Sequence, residues 1–166
     1  YEGGSDEQIQ RYLPRLLSAE LIGCVAVTEP GVGSNPADLT MRAVPEGDFY
    51  RLNGEKIWIS NGSISDVCIV LAKTGKEGKK SLSRFIVEKE PNGYTVRDLE
   101  KLGFTAWPTS ELFFDNTLVP KENLLGRLGE GLKETLKAFE RARCFVALAA
   151  IGVAQSALEA AIQYAQ

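Results

Sequence analysis

Between Leu21 and Pro120 the chain is built from short β-rich runs closed by turn residues: Leu21–Val27, Leu39–Val44, Phe49–Leu52, Lys56–Ile59, Val67–Ala72, Arg84–Val87, Tyr94–Arg97 and Glu111–Phe114. Many short strands at that spacing predict an antiparallel β-barrel or sandwich. Asn53-Gly54, between two of the runs, reads as a hairpin turn because both residues tolerate positive φ. After Gly126, Gly129 and Gly131 the period changes. Leu132, Leu136, Phe139, Val146, Ala150 and Val153 recur at three- and four-residue steps, which marks one apolar face of a long helix. Ala147, Ala149, Ala154, Ala157 and Ala160 keep that helix smooth, suiting close approach in a core or across a subunit seam.

At the other end, Ser5-Asp6-Glu7-Gln8 has the form of a capping box and predicts a helix over residues 5 to 18. Pro14 interrupts that pattern and is expected to start a second short turn. The fold class is therefore α+β: an antiparallel barrel or sandwich flanked by a short N-terminal helical segment and a long C-terminal helix. Residues 1–20 read as the end of one helical domain, 21–126 as the β domain, and 127–166 as the start of another helical domain. The chain opens at Tyr1 and its helical pattern still runs at Gln166, so a piece of a longer protein is expected.

Composition narrows the chemistry. A net charge of −3 provides no broad basic surface, so nucleic acid is not an expected partner. The sequence contains no His, which excludes a His-based triad, a His metal site and an imidazole base within it; no metal is expected. Cys24, Cys68 and Cys144 lie in apolar stretches without CxxC spacing and read as buried reduced thiols. No unbroken apolar run reaches the ~18 residues of a bilayer span. No membrane span is expected, and the setting is expected to be cytoplasmic, or the mitochondrial matrix in a eukaryote. Gly75–Lys80 reads as a solvated loop.

Two segments carry candidate chemistry. Val27-Thr28-Glu29-Pro30-Gly31-Val32-Gly33-Ser34-Asn35 runs from an apolar strand into hydroxyl and glycine residues, and Lys56-Ile57-Trp58-Ile59-Ser60-Asn61-Gly62 does the same about thirty residues later. The first is also compatible with a plain turn and loop, the second with an ordinary half-buried strand whose Trp58 belongs to the core. Their order, spacing and identities resemble the two flavin-contacting signatures of the acyl-CoA dehydrogenase family. Phe114–Gly126 is similar to that family's barrel exit, and Gly152–Leu158 to its helical signature.

The resemblance covers nearly the whole chain and implies FAD as cofactor, with specific roles. Thr28, with the backbone of Val27, would meet the polar edge of the flavin. Gly33 would admit close approach, and Ser34 would meet the pyrophosphate near the coenzyme A moiety. Trp58 would cover one flavin face, while Ile59 and Ser60 would lie beside the reactive nitrogen. Glu140 and Arg143 share a helix face, which alone suggests an ion pair; by resemblance Glu140 would hold coenzyme A and Arg143 would organise the pocket. Trp107 lies outside these motifs and reads as packing or pocket wall.

The implied reaction is oxidation of acyl-CoA to trans-2-enoyl-CoA, with an electron-transfer flavoprotein as partner and a homotetramer as the intact assembly. Some family members carry the catalytic glutamate at the position of Ala142, and most carry it far downstream. The general base is thus expected beyond Gln166, and the isolated chain is expected to be inactive. A flavin monooxygenase or oxidase on the same scaffold, or a noncatalytic flavin-binding module, are the alternatives.

Overall fold

The computed structural model of the chain describes residues 3–75, 81–91 and 93–166. Most of the expected solvated loop, residues 76–80, lies outside them. The chain divides into two compact units, Tyr1–Leu132 and Lys133–Gln166.

Among the described residues of the first unit, helix α1 (Asp6–Leu17) is followed by strands β1 (Gly23–Ala26), β2 (Arg42–Glu46), β3 (Phe49–Ser60), β4 (Val67–Lys73), β5 (Leu82–Glu88), β6 (Thr95–Asp98), β7 (Thr109–Pro120) and β8 (Leu124–Leu125). They form one sheet in the order β6-β7-β3-β2-β4-β5-β8, with β1 paired to β4. The path stays open, so the unit is sandwich-like rather than a closed barrel. Nor is the sheet purely antiparallel, since β4 takes both β1 and β2 in parallel. The long connection from β1 to β4 permits this, because parallel neighbours need a crossover and cannot be joined by a tight turn.

The β-rich runs fall on the strands, with two corrections. Asn53-Gly54 is not a hairpin turn. β3 runs through it as one strand of 12 residues, and the reversal lies earlier, at Gly47-Asp48 between paired Glu46 and Phe49. Gly47 takes φ +54° there, which suits glycine at the first turn position. Gly54 instead serves a close approach at a register shift against β7: a Cβ on it would lie 2.8 Å from Met41 Cγ. The expected run Leu39–Val44 shifts to β2, leaving Leu39 and Met41 as buried residues just before the strand.

Leu52, Val70, Phe85 and Leu112 fill the main core, where full burial of such a side chain contributes about 1.5–3 kcal/mol. A smaller cluster of Tyr12, Val67, Ile86 and Leu125 seats α1 on the sheet. Ser5 caps α1 and Gln8 closes the capping box, as the sequence predicts. Gln8 Nε2 also donates to the carbonyls of Glu122 (2.7 Å) and Leu124 (3.0 Å). Pro14 does not break the helix. It lies in the last turn, and the carbonyl it deprives of a donor belongs to exposed Gln10, where solvent can replace the lost bond.

Helix α2 (Gly131–Ala165) begins in the first unit, where Leu132 packs with Leu39, Leu71 and Leu82. The remainder is the second unit, and its residues from Arg141 onward are exposed. This includes Cys144, so the expectation of three buried thiols holds only for Cys24 and Cys68. By length and composition α2 is also apolar enough to cross a membrane. No unbroken apolar run marks this helix, because Gln155, Ser156 and Glu159 interrupt an otherwise uncharged stretch after Arg143.

Candidate functional site

The first segment leaves β1 and immediately enters a tight turn. Glu29 and Val32 exchange backbone hydrogen bonds of 3.0 Å in both directions, with Pro30 and Gly31 at the apex. Pro30 suits the first central position because its ring presets φ. Val27 packs against the Leu39 cluster, Thr28 is half-buried, and Gly33 and Ser34 are exposed. A Cβ on Gly33 would meet nothing within 4 Å, so open space borders the backbone there.

The second segment lies against the first. Ile57 N donates to the Thr28 carbonyl at 2.9 Å, which makes Thr28 and Trp58 near neighbours across the two segments. Between Lys56 and Ile59, β3 gains one residue relative to β7, forming a bulge. Trp58 occupies it at φ +63°, a conformation that costs a non-glycine residue about 1–3 kcal/mol. Its side chain is exposed, with a relative accessibility of 59% for the residue, so Trp58 is not a core residue. Ile59 returns to the core, leaving only its backbone available to a ligand, and Ser60 is exposed beside its partner Thr109.

Beneath these residues lies an ion pair that motif reading missed. Lys56, with 0% side-chain exposure, donates from Nζ to the Val27 carbonyl (2.9 Å) and to Glu29 Oε1 (3.0 Å). Glu29 Oε2 accepts from Thr40 N and Oγ1, both at 2.7 Å, and Oε1 also accepts from Met41 N at 2.9 Å. Burial pushes the Lys56 pKa down to about 8 even though Glu29 opposes the shift. Burial raises the Glu29 carboxyl, but Lys56 and the Thr40 and Met41 donors outweigh it and hold the pKa below its ordinary value. With its oxygens engaged four times, Glu29 is a structural acceptor. Alternation along the continuous β3 from Tyr50 and Leu52 places Lys56 on the inward side, a signal that reading Asn53-Gly54 as a turn conceals.

The Thr28, Ser34 and Ser60 hydroxyls have no hydrogen-bond partner among the described residues. The Ile57–Thr28 hydrogen bond brings the Thr28 hydroxyl and the exposed Trp58 indole into one neighbourhood, and an aromatic face beside a hydroxyl donor suits a flat ligand with polar edges. Trp107 is half exposed, in a loop where the Lys101 ammonium donates to the carbonyls of Phe104 (3.0 Å) and Trp107. It is therefore not a packed core residue. In the second unit, Glu140 and Arg143 are exposed on one helix face and form no ion pair with each other. The simple intrahelical pair suggested by their spacing is absent.

The sequence profile of the acyl-CoA dehydrogenase middle domain matches residues 24–117. Over 163 residues the chain is 42% identical to the glutaryl-CoA dehydrogenase of Desulfococcus multivorans, covering 97% of this chain and 42% of that protein. Among solved structures, an acyl-CoA dehydrogenase from Geobacillus kaustophilus superposes with a TM-score of 0.79 at 41% identity, covering 82% of this chain and 37% of that one. A glutaryl-CoA dehydrogenase from Mycobacterium smegmatis in complex with FADH2 gives a TM-score of 0.78 at 40% identity, covering 86% and 36%. The chain thus spans less than half the length of the relatives it matches. On the profile match and on identity over nearly its full length, the chain belongs to the acyl-CoA dehydrogenase family.

Proposed function

We propose that the chain is the flavin-facing part of an FAD-dependent acyl-CoA dehydrogenase that converts acyl-CoA to trans-2-enoyl-CoA. One observation carries this reading: the Ile57–Thr28 hydrogen bond joins both signatures, so that the exposed Trp58 indole and the Thr28 hydroxyl belong to one locality. When bound, FAD supplies the hydride acceptor. Thr28 and the Val27 backbone hold its polar edge, while Gly33 and Ser34 receive the pyrophosphate and the adjoining coenzyme A. Trp58 covers one face, contributing about 0.5–1.5 kcal/mol beyond its buried area. Ser60 and the Ile59 backbone orient the reacting edge, and a hydrogen bond there to a charged group contributes about 1.5–3 kcal/mol.

Glu140 and Arg143 are assigned to the coenzyme A side and the substrate pocket. Residues 1–20 and 127–166 are assigned to the helical domains before and after the β domain. In the full-length protein, further helices would cover the apolar residues that α2 exposes. A homotetramer, an electron-transfer flavoprotein as electron acceptor, and a cytoplasmic or matrix setting complete the reading.

Two positions favour a second description for the 166-residue chain by itself. Ala142 provides no base, and the Glu29 carboxylate is engaged by Lys56, Thr40 and Met41. Alone, the chain is a noncatalytic binding module. The test is anaerobic addition of acyl-CoA to the FAD-loaded full-length protein, which is expected to bleach the flavin's visible band. Loaded protein that stays oxidised with every acyl-CoA tried would favour an oxidase, a monooxygenase or a binding module.

A further inference from the structure

We propose that Lys56 is a positioning residue for the flavin, a role that rests on the flavin reading above. Three acceptors of the first signature are held by two consecutive residues of the second. Lys56 Nζ takes the Val27 carbonyl and the Glu29 carboxylate, and Ile57 N takes the Thr28 carbonyl. Val27 and Thr28 thus commit their carbonyls to β3. Among the described residues the Thr28 hydroxyl has no partner, which leaves it available to the electron-rich edge of a ligand.

Lys56 also fixes the strand itself. It pairs with Leu112 of β7 at the last in-register position before the bulge, and Ile59 pairs with Ser110 directly after it. A slip of one residue would turn Lys56 out of the core and leave Glu29 buried without its cation. Lys56 before the bulge and Ile59 after it are both buried, and these two anchors hold Trp58 in its positive-φ, outward conformation. An aliphatic residue would fill the same space without the desolvation cost of a buried charge, and fixing register is the best-attested use of such a pair. The ion pair thereby makes the two signatures one mechanical unit, with Thr28 and Trp58 as its ligand-facing outputs.

The test uses the full-length protein and compares it with the double variant Glu29→Gln/Lys56→Met, which removes both charges and leaves no unpaired ion. The variant is expected to melt cooperatively, to bind FAD about tenfold or more weakly, and to lose the visible circular dichroism pattern of the bound flavin. Affinity within about twofold, with an unchanged visible spectrum, would overturn the proposal while leaving the flavin reading intact. Failure of the unaltered protein to bind FAD would overturn both. Should the double variant not fold, Thr40→Val decides, because it removes one bond to Glu29 Oε2 and keeps both charges. FAD binding about threefold weaker by a protein that still melts cooperatively supports the proposal; unchanged affinity and spectrum overturn it.

Discussion

Lys56 Nζ lies 3.0 Å from Glu29 Oε1, and neither side chain has more than 4% of its surface exposed. This contact joins residues 27 positions apart in sequence, and Lys56 lies two residues before the exposed Trp58 on β3. Its energetics are asymmetric. Deleting one partner strands a buried charge, whereas deleting both removes the desolvation cost together with the attraction.

Lys56→Met alone is therefore expected to lower stability by about 3–5 kcal/mol. The double variant with Glu29→Gln should recover only part of that loss, because one amide oxygen cannot serve both Thr40 N and Met41 N and the Val27 carbonyl loses its donor. Urea denaturation of the three proteins measures the difference. Equal destabilisation by the single and double variants would contradict an isolated buried pair.

The pair also sets a pH signature. Lys56 has its pKa lowered from 10.5 to about 8 in the fold, so between these values the unfolded chain binds more protons than the native one. The Lys56 contribution to stability thus rises with pH across that window. Glu29, shifted below its ordinary 4.5, contributes stability that is present above 4.5 and lost as pH falls through the lower folded value. Urea midpoints measured from pH 7 to about pH 10 should rise less with pH in Lys56→Met than in the unaltered chain. Parallel pH profiles would contradict the assignment.

Trp58→Gly should separate folding from ligand binding. The side chain is largely exposed and its backbone is strained, so glycine relieves about 1–3 kcal/mol of conformational cost while enlarging the entropy of the unfolded chain. Thermal unfolding of the apoprotein should occur at an unchanged or higher temperature, while FAD affinity falls. A large drop in melting temperature would show that the indole supports the fold.

The local parts of this structure were legible in the sequence. The Ser5–Gln8 capping box, the Pro30-Gly31 turn and the apolar period after Gly131 each depend on a few adjacent residues. Asn53-Gly54 misled because pairing with β7 and close contact with Met41 overrode its turn preference. The mixed sheet was hidden for a related reason: alternation marks strands but not their partners, and β4 selects β1 and β2 through long-range packing. For the proposed site, the motifs point to Thr28, Ser34, Trp58 and Ser60 by resemblance. The Lys56–Glu29 pair needed the third dimension, since a lysine and a glutamate in separate segments show no sign of meeting.

Thiol reactivity checks the two units separately. Cys24 and Cys68 are register partners on β1 and β4 and are buried, whereas Cys144 is exposed on α2. In the 166-residue chain, iodoacetamide should modify Cys144 first, and Cys24 and Cys68 only on unfolding. Mass spectrometry of the peptides reads the order, and early modification of Cys68 would contradict the packing of β4.

The central claim is that the two signatures form one flavin-binding face. Its most direct measurement is the position of FAD in a crystal structure of the full-length, FAD-loaded protein. The flavin ring is expected against the Trp58 indole, with the Thr28 and Ser60 hydroxyls within about 3.5 Å of its polar atoms. FAD bound elsewhere, with Trp58 and both hydroxyls free of it, would show that the two signatures do not form a flavin-binding face.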